Sequence, residues 1–322
     1  MRIFLLGLVA VCFLGCQKRE EVSIVINEQL FEMGSLSGEL KTKELKEASG
    51  ITESFQNPGL LWVLNDGGDQ GRIYLMDTTT QIKARVLLEG IKNRDWEDMA
   101  SGPGPEEGKK YIFIGDIGDN DAKHKYKFIY RIEEPVVDFM NASDTTITKV
   151  DCIKFQLPDG SRDAEAMMID PITRDIYIIS KREQKVNLYR LPYPQSTSEV
   201  VKAELALKEL KFNQYQGRTV SNDGGQTLIN GYHSAYYNQV VSCDISGDGL
   251  EMLIKSYSAI YYWRRQENES IVNMIQRIPT LLPYTPEPQG EAITFNEKRS
   301  GYYTLNEELG KQPQQLLFYR RK

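Results

Sequence analysis

A short acid-rich motif recurs along the chain and constrains its fold more than any other feature. Its copies are Asp95-Trp96-Glu97-Asp98, Asp163-Ala164-Glu165-Ala166 and Gln289-Gly290-Glu291-Ala292, with a weaker relative at Glu47-Ala48-Ser49-Gly50. Each copy is followed by an apolar run and then by a second short run that contains an aromatic residue. Such self-similarity indicates an internal repeat, in which each copy marks the start of one structural unit.

Each unit consists of short strands separated by turns. The third unit is the clearest, with predicted strands at residues 165–170, 175–180, 187–191 and 205–212. Four strands per unit, running up and down, are typical of a propeller blade. The last unit, 289–319, has three strands, and a strand within residues 31–40 would supply the fourth. We therefore predict an all-β fold, a single β-propeller of five or six four-stranded blades whose ring is closed by an N-terminal strand.

The N-terminus has the features of a secretory signal. Arg2 precedes an apolar run that ends at Gly15-Cys16, and this segment resembles a bacterial lipoprotein signal in which the cysteine is lipidated. We expect a signal peptide at 1–16, a polar spacer at 17–30 and the propeller domain at 31–322. The protein would then be held to the cell envelope by a lipid on Cys16, and Gln17 favours, by analogy, the outer membrane of a Gram-negative bacterium. The alternative is an uncleaved membrane anchor.

Charge and cysteine content bear on the partners of the protein and on whether it contains a disulfide. The net charge of −6 gives no indication of a nucleic-acid partner, and we expect a monomer. Two cysteines, Cys152 and Cys243, lie beyond the signal in strand-like contexts. They could form a disulfide in an oxidising compartment or remain unpaired core residues.

The repeated acids are the main candidate site. The first strand of each propeller blade lines the central channel, so side chains that open every blade converge on one axis. The predicted metal ligands are Asp95, Glu97, Asp163, Glu165, Asp244 and Glu291. Confined carboxylates repel one another unless a cation or shared protons neutralise them, and among cations Ca²⁺ suits such oxygen ligands best. Alternatively, these acids accept backbone hydrogen bonds and pin neighbouring blades together.

Further polar residues form a second tier of candidates. Asp66, Asp69, Asp116 and Asp119 lie in Gly-kinked loops that could bind Ca²⁺ or could simply be tight turns. His233 lies among aromatic residues and could act as an acid or base, or be an ordinary surface histidine. His124 and His233 have no zinc-ligand spacing. Lys181, Arg182 and Arg218 near the blade entrances could meet a phosphate or carboxylate beside a bound cation, but they are interpreted as solvated charges.

These motifs, together with Gly115-Asp116-Ile117-Gly118-Asp119-Asn120, resemble those of a family of bacterial secreted or lipid-anchored β-propeller proteins. The chain is similar, more distantly, to the phytase-like esterase and strictosidine-synthase-like propellers. The resemblance implies a propeller fold and a metal at the channel mouth, without a particular substrate. Two departures limit it: Ser49 stands where other units carry the second acid, and the fourth unit has only Asp244. The phosphate-binding set of the propeller phytases therefore has no counterpart at identifiable positions.

Three functions remain open from the sequence. The first is an extracytoplasmic, lipid-anchored propeller that binds a divalent cation, most simply Ca²⁺, with a small-molecule or polymeric ligand at the acidic mouth. The second is a metal-dependent hydrolase of phosphoesters or carboxylic esters, for which Glu97, Glu165 and Glu291 are the candidate catalytic residues. The third is a protein-interaction scaffold without catalysis.

Overall fold

The computed structural model describes residues 26–138, 144–183, 185–210, 212 and 239–322. These residues form five sheets, and the innermost strand of each sheet contacts the innermost strands of two neighbours, so that the contacts close into a ring. The described part of the chain is therefore a five-bladed β-propeller. The predicted all-β propeller is confirmed, and the blade number is five.

The strands follow one another in the order that the repeat predicts. Strand β1 (Ser35–Leu40) is followed by blade 1, which contains β2 (Ala48–Glu53), β3 (Leu60–Asn65), β4 (Gln70–Asp77) and β5 (Ile82–Lys92). Blade 2 contains β6 (Trp96–Pro103), β7 (Lys110–Asp116), β8 (Lys127–Glu133) and, after the short β9 (Thr145–Ile147), β10 (Asp151–Gln156). Blade 3 contains β11 (Ala164–Ile169), β12 (Ile176–Ser180), β13 (Leu188–Leu191) and, after β14 (Val201–Lys202), β15 (Glu204–Leu207).

Blade 4 contains β16 (Val240–Ile245), β17 (Glu251–Ser256), β18 (Ile260–Arg264) and, after the helix α1 (Ile271–Gln276), β19 (Thr280–Leu281). Blade 5 contains β20 (Gly290–Phe295), β21 (Gly301–Asn306) and β22 (Gln314–Arg320), and β1 pairs antiparallel with β22 as its outer strand. The predicted closure by an N-terminal strand is therefore confirmed. Within the described residues, no helix combines the length and apolarity needed to cross a membrane.

The hydrophobic core lies between the blades. The innermost strands β2 and β11 are buried along their whole length, as are the second strands β3 and β12. Because both faces of the second strands are covered, the sequences of β3 and β12 are almost continuously apolar. Five clusters fill the five blade interfaces; the cluster between blades 1 and 2, for example, contains Trp62 and Trp96. Cys243 is buried in the cluster between blades 3 and 4, and both Cys152 and Cys243 are free.

Short segments also tie each of three blades to the one before it. Strand β9, on the connection to the outer strand of blade 2, pairs in parallel with β5 of blade 1. In the same way β14 pairs with β10 of blade 2, and Ile26, upstream of β1, bridges Leu281 of blade 4. These pairings cover the outer edges of the sheets, which would otherwise be open to pairing with other chains.

A β-bulge occurs at the same place in all five innermost strands. The register with the second strand skips one residue near the start of each, at Ser49, Glu97, Glu165, Val241 and Glu291. A bulge leaves the extra residue out of the ladder and redirects its side chain. The repeated glutamates therefore share a structural position that differs from that of the rest of the strand.

Candidate metal site at the acidic channel mouth

Two rings of side chains surround the channel mouth at which the innermost strands begin. The first consists of the five bulge residues, of which Glu97, Glu165 and Glu291 are acidic and almost completely buried. The second consists of residues that follow the second strand of each blade. Their backbone amides donate to the carbonyl that precedes the innermost strand, as in Asp66 to Glu47, Gly118 to Asp95, Lys181 to Asp163 and Glu307 to Gln289. The mouth thus collects two side chains from most blades.

Five carboxylates meet in two overlapping triads. Oxygen atoms of Asp66, Asp95 and Glu97 lie within 4.8 Å of one another, and so do oxygen atoms of Glu97, Asp163 and Glu165. Glu97 belongs to both triads. The structure therefore brings together four of the six predicted ligands, Asp95, Glu97, Asp163 and Glu165, and adds Asp66 from the second tier of candidates.

Gly118 makes this convergence possible. A Cβ atom at this position would overlap the Glu97 carboxylate and would lie 2.5 Å from the carboxyl carbon of Asp95. Blade 2 therefore has no side chain in the second ring, and the space is taken by the acids of the first triad. Glycine is required here because the carboxylates of Glu97 and Asp95 approach its backbone closely, and any side chain would displace them.

The first triad resists ionisation. Burial raises the pKa of Glu97 well above its usual range, and the charges of Glu165 and Asp66 raise it further. Burial also raises the pKa of Asp66 to about 6, and that of Asp95, to which the charge of Asp163 contributes. These carboxylates cannot all be charged together at neutral pH unless a cation lies among them.

The second triad, in contrast, already has cationic partners. Lys181 is only 5% exposed, and its ammonium group donates to Glu165 and to the Tyr257 hydroxyl at 3.1 Å. Arg182 donates to Asp163 at 2.6 Å. Burial alone would lower the pKa of Lys181, but the charges of Glu165, Glu291 and Glu97 outweigh it and raise that pKa. The interpretation of Lys181 as a solvated charge is therefore wrong.

The remaining acids of the mouth are linked to this network. Tyr257 donates a hydrogen bond of 2.6 Å to Glu291, which places Glu291 next to Lys181 rather than in either triad. Glu307, which the sequence analysis does not select, accepts a hydrogen bond from Gln289. Burial raises the pKa of Glu307 to about 9, and the charges of Glu291 and Asp66 add to the effect. Its position after β21 matches that of Asp66 after β3, and this correspondence was available from the repeat.

Asp244 is not part of the acidic mouth. The bulge position of blade 4 is occupied by Val241, and Asp244 lies three residues further along β16, towards the opposite end of the channel. Its carboxylate accepts hydrogen bonds from the Phe295 amide at 2.8 Å and from Thr294 at 3.1 Å, both in blade 5. This arrangement matches the alternative role, in which an acid pins neighbouring blades.

Three of the loop aspartates are engaged locally. Asp69 accepts a hydrogen bond of 2.8 Å from Asn65, and Asp116 is paired with Arg94 at 2.6 Å. Asp119 accepts from the backbone amides of Lys123 and His124 within its own loop. Of these loops, only the one that carries Asp66 contributes to a triad. His233, Arg218 and Cys16 lie outside the described residues.

Asp98, the last residue of the first full motif, accepts hydrogen bonds from two other blades. It accepts hydrogen bonds from the amides of Met167 in blade 3 and Cys243 in blade 4, and from the hydroxyl of Ser242. Ser242 in turn accepts from the amide of Ile293 in blade 5. One motif therefore provides a free carboxylate at the mouth, on Glu97, and a structural one in the centre of the ring, on Asp98.

No protein-family model matches this sequence, and no curated protein does. Several solved structures are similar to it in fold. A luciferin-regenerating enzyme aligns with a TM-score of 0.45 and 8% identity over 89% of this chain and 95% of its own. A protein of unknown function from Bacteroides thetaiotaomicron aligns with a TM-score of 0.41 and 13% identity over 88% and 72% of the two chains. The RRP9 WD40 repeats align with a TM-score of 0.38 and 9% identity over 85% and 79%. Likenesses this distant support no statement about function.

Proposed function

We propose that this propeller binds a divalent cation, most simply Ca²⁺, between Asp66, Asp95 and Glu97, and holds a ligand next to it at the channel mouth. One observation carries the proposal. The Glu97 carboxylate is shared by both triads and is 5% exposed, yet no hydrogen-bond donor or cationic side chain among the described residues is bonded to it. A buried carboxylate without a partner is costly, and a bound cation would remove that cost.

The type of ligand atom favours Ca²⁺. The first triad offers only carboxylate oxygens, whereas zinc sites are usually built from histidine and cysteine. Ca²⁺ accepts about six to eight oxygens in irregular arrangements, while Mg²⁺ demands a near-ideal octahedron. Three carboxylates, some of them bidentate, could supply most of that number, and water or an oxygen-bearing ligand could supply the rest.

The surroundings of the triad favour an anionic or oxygen-rich ligand. Arg182 is partly exposed at the mouth, and Lys181 and Tyr257 carry donors close to the acids. A cation together with these donors would suit a carboxylate, a phosphate or a sugar, whether as a small molecule or as part of a polymer. The lipid on Cys16 that the sequence predicts would hold this mouth near the surface of the cell envelope.

Thermal unfolding of the purified protein tests the cation site. We expect the midpoint to rise when Ca²⁺ replaces EDTA, since a ligand of the native state stabilises it by about 2.7 kcal/mol at a hundredfold excess over Kd. Glu97→Gln should abolish the rise. Asp69 lies in the same loop as Asp66 but is bonded to Asn65. The control variant Asp69→Asn should therefore retain the rise of the midpoint with Ca²⁺. A midpoint that no divalent cation shifts would contradict the proposal.

One contact favours the hydrolase as a second candidate. The hydrogen-bonded series Lys181, Tyr257 and Glu291 lies next to the triad and could move a proton while the cation polarises a scissile bond. Turnover of p-nitrophenyl phosphate or acetate that requires Ca²⁺ and is lost in Tyr257→Phe, with the Ca²⁺-dependent midpoint unchanged, would support it. A protein that binds Ca²⁺ without turning over either ester would remain a binding protein, and one indifferent to chelator would fit an interaction scaffold.

A further inference from the structure

A cavity of about 260 Å³ lies at the opposite end of the channel from the acidic mouth. Its walls come from the ends of innermost strands and from the turns that follow them. Glu53 and Phe55 belong to blade 1, Asp244 and Asp248 to blade 4, and Phe295 and Glu297 to blade 5. Ser101 of blade 2 also lines the cavity, which therefore lies where four blades meet, as ligand pockets between packed elements often do.

Glu53 is an unpartnered acid in the wall of this cavity. The residue is 8% exposed, and among the described residues no donor or cationic side chain is bonded to its carboxyl group. Burial, together with the nearby charges of Glu297, Asp244 and Glu134, raises the pKa of Glu53 to about 9, and Lys298 partly opposes them. This carboxyl group is largely removed from water and receives no hydrogen bond from the described residues, so a ligand that supplies a donor would stabilise it.

Acidic side chains outnumber basic ones among the residues that line the cavity. Asp244 is fixed by its hydrogen bonds to blade 5 and adds a second acid. Arg299 is the one cationic side chain among the described residues that line the cavity, and it is already bonded to Asp248. Phe55 and Phe295 contribute apolar and aromatic surface. The Lys110 ammonium already lies 4.5 Å from the centroid of the Phe55 ring, so Phe55 offers a ligand its remaining apolar surface.

The spacing of these acids does not suit a metal ion. Among the described residues, the groups of three carboxylates that could share one ion are all at the other mouth, and none includes Glu53, Asp244 or Glu297. A single small ion could therefore not be shared by three of these acids. An organic cation spreads its donors and its apolar carbons over a larger volume, as a cavity of this size allows.

We propose that this cavity binds a small organic cation, a primary ammonium or guanidinium compound, whose charged group is held by Glu53 and whose carbon chain packs on Phe55. The site is independent of the Ca²⁺ site at the other mouth. Binding converts Glu53 to its ionised form, because the cation replaces the proton as the partner of the carboxylate.

Calorimetric titration of the purified protein with n-butylammonium and with agmatine, in EDTA at pH 7, tests this proposal. 1-Butanol serves as the neutral counterpart of similar size. We expect both cations to bind with Kd in the millimolar range, as their size allows, and 1-butanol to bind far more weakly. Repeating the titration in two buffers of different ionisation enthalpy should show release of close to one proton per bound cation.

Glu53→Gln keeps the size of the side chain and should reduce the affinity for both cations at least tenfold. Phe55→Leu, a second variant in the cavity, should weaken binding several-fold without affecting proton release. Asp69→Asn, at the other mouth, should bind like the original protein. The proposal is overturned if neither cation binds, if 1-butanol binds equally well, or if a folded Glu53→Gln protein binds with unchanged affinity.

Discussion

The carboxylate of Asp98 in blade 2 accepts a hydrogen bond of 3.0 Å from the backbone amide of Met167, in the innermost strand of blade 3. The same oxygen receives the amide of Cys243 from blade 4. Burial raises the pKa of Asp98, while the amides of Met167, Met99 and Cys243 lower it and favour the charged form. One side chain thus satisfies backbone groups of two other blades near the axis of the ring.

Asp98→Asn should therefore destabilise the protein. The amide group of asparagine would turn a donor towards the amides that now donate to the carboxylate, leaving buried groups unsatisfied. We expect a loss of about 2–4 kcal/mol in the free energy of unfolding, measured by urea denaturation. Asp121→Asn, at an exposed acid paired only with Lys123, should change it by less than about 0.5 kcal/mol. Equal effects of the two changes would show that Asp98 does not pin the blades.

Gly118→Ala should remove the Ca²⁺ response. The added methyl group overlaps Glu97 and approaches Asp95, so both acids must move apart. We expect a loss of about 1–3 kcal/mol in EDTA and no further rise of the unfolding midpoint on addition of Ca²⁺. Gly247→Ala is the matched control, because its Cβ would lie 3.2 Å from the Phe55 ring at the opposite end of the channel. If Ca²⁺ raised the unfolding midpoint of Gly118→Ala as much as that of the original protein, the ion would have to bind elsewhere.

Lys181→Met should be strongly destabilising at pH 8 and less so at pH 5. Removal of the ammonium group leaves Glu165 buried without its cation, and breaking a buried pair in this way costs about 3–5 kcal/mol. At pH 5 Glu165 can be neutralised by a proton instead, since burial raises the pKa of its carboxyl group. The double change Lys181→Met with Glu165→Gln should recover much of the lost free energy of unfolding. Urea denaturation of the original protein, the two single variants and the double variant would show this recovery. Additive losses in the double variant would contradict this coupling.

The pH dependence of the free energy of unfolding should reveal the raised pKa of Glu53. Its pKa is raised to about 9 in the folded chain, against about 4.3 for an unfolded glutamate. The protonated group therefore contributes its full stability below the unfolded value, and this contribution is lost as the pH rises towards 9. We expect Glu53→Gln to become more stable relative to the original protein between pH 5 and pH 8, by at least about 1 kcal/mol. Parallel stability curves for the two proteins would exclude a strongly shifted Glu53.

Much of the fold was predictable because the repeated motif marks the start of the innermost strand of a blade. The acids Glu97, Glu165 and Glu291 recur at equivalent bulges, and apolar runs follow them because the second strands are buried on both faces. The missing fourth strand of blade 5 directly indicated closure by β1. The short strands β9 and β14 were not predicted, because two or three residues paired at an outer edge leave no periodic pattern in the sequence.

The site was predictable only in part. Asp244 was assigned to the mouth because it is the one acid near the start of its unit, but the bulge places Val241 there instead. A bulge shifts the phase of a strand by one residue, so spacing alone does not identify the equivalent position. Lys181 was misjudged because its partner Glu165 lies on the preceding strand. In an antiparallel hairpin the residue that follows the second strand lies next to the start of the first, and that relation also explains Asp66 and Glu307.

The pairing of β1 with β22 also determines when the protein can become complete. Ser35 of β1 is aligned with Phe318 of β22, so blade 5 combines strands that are far apart in the sequence. During synthesis the first strand emerges long before its partner exists, and blades 1 to 4 must assemble beside an open gap. Contacts of such long sequence separation form late and slowly. The strand that is made first is therefore among the last to find its place, and a chain that stops before Gln314 leaves it without a partner.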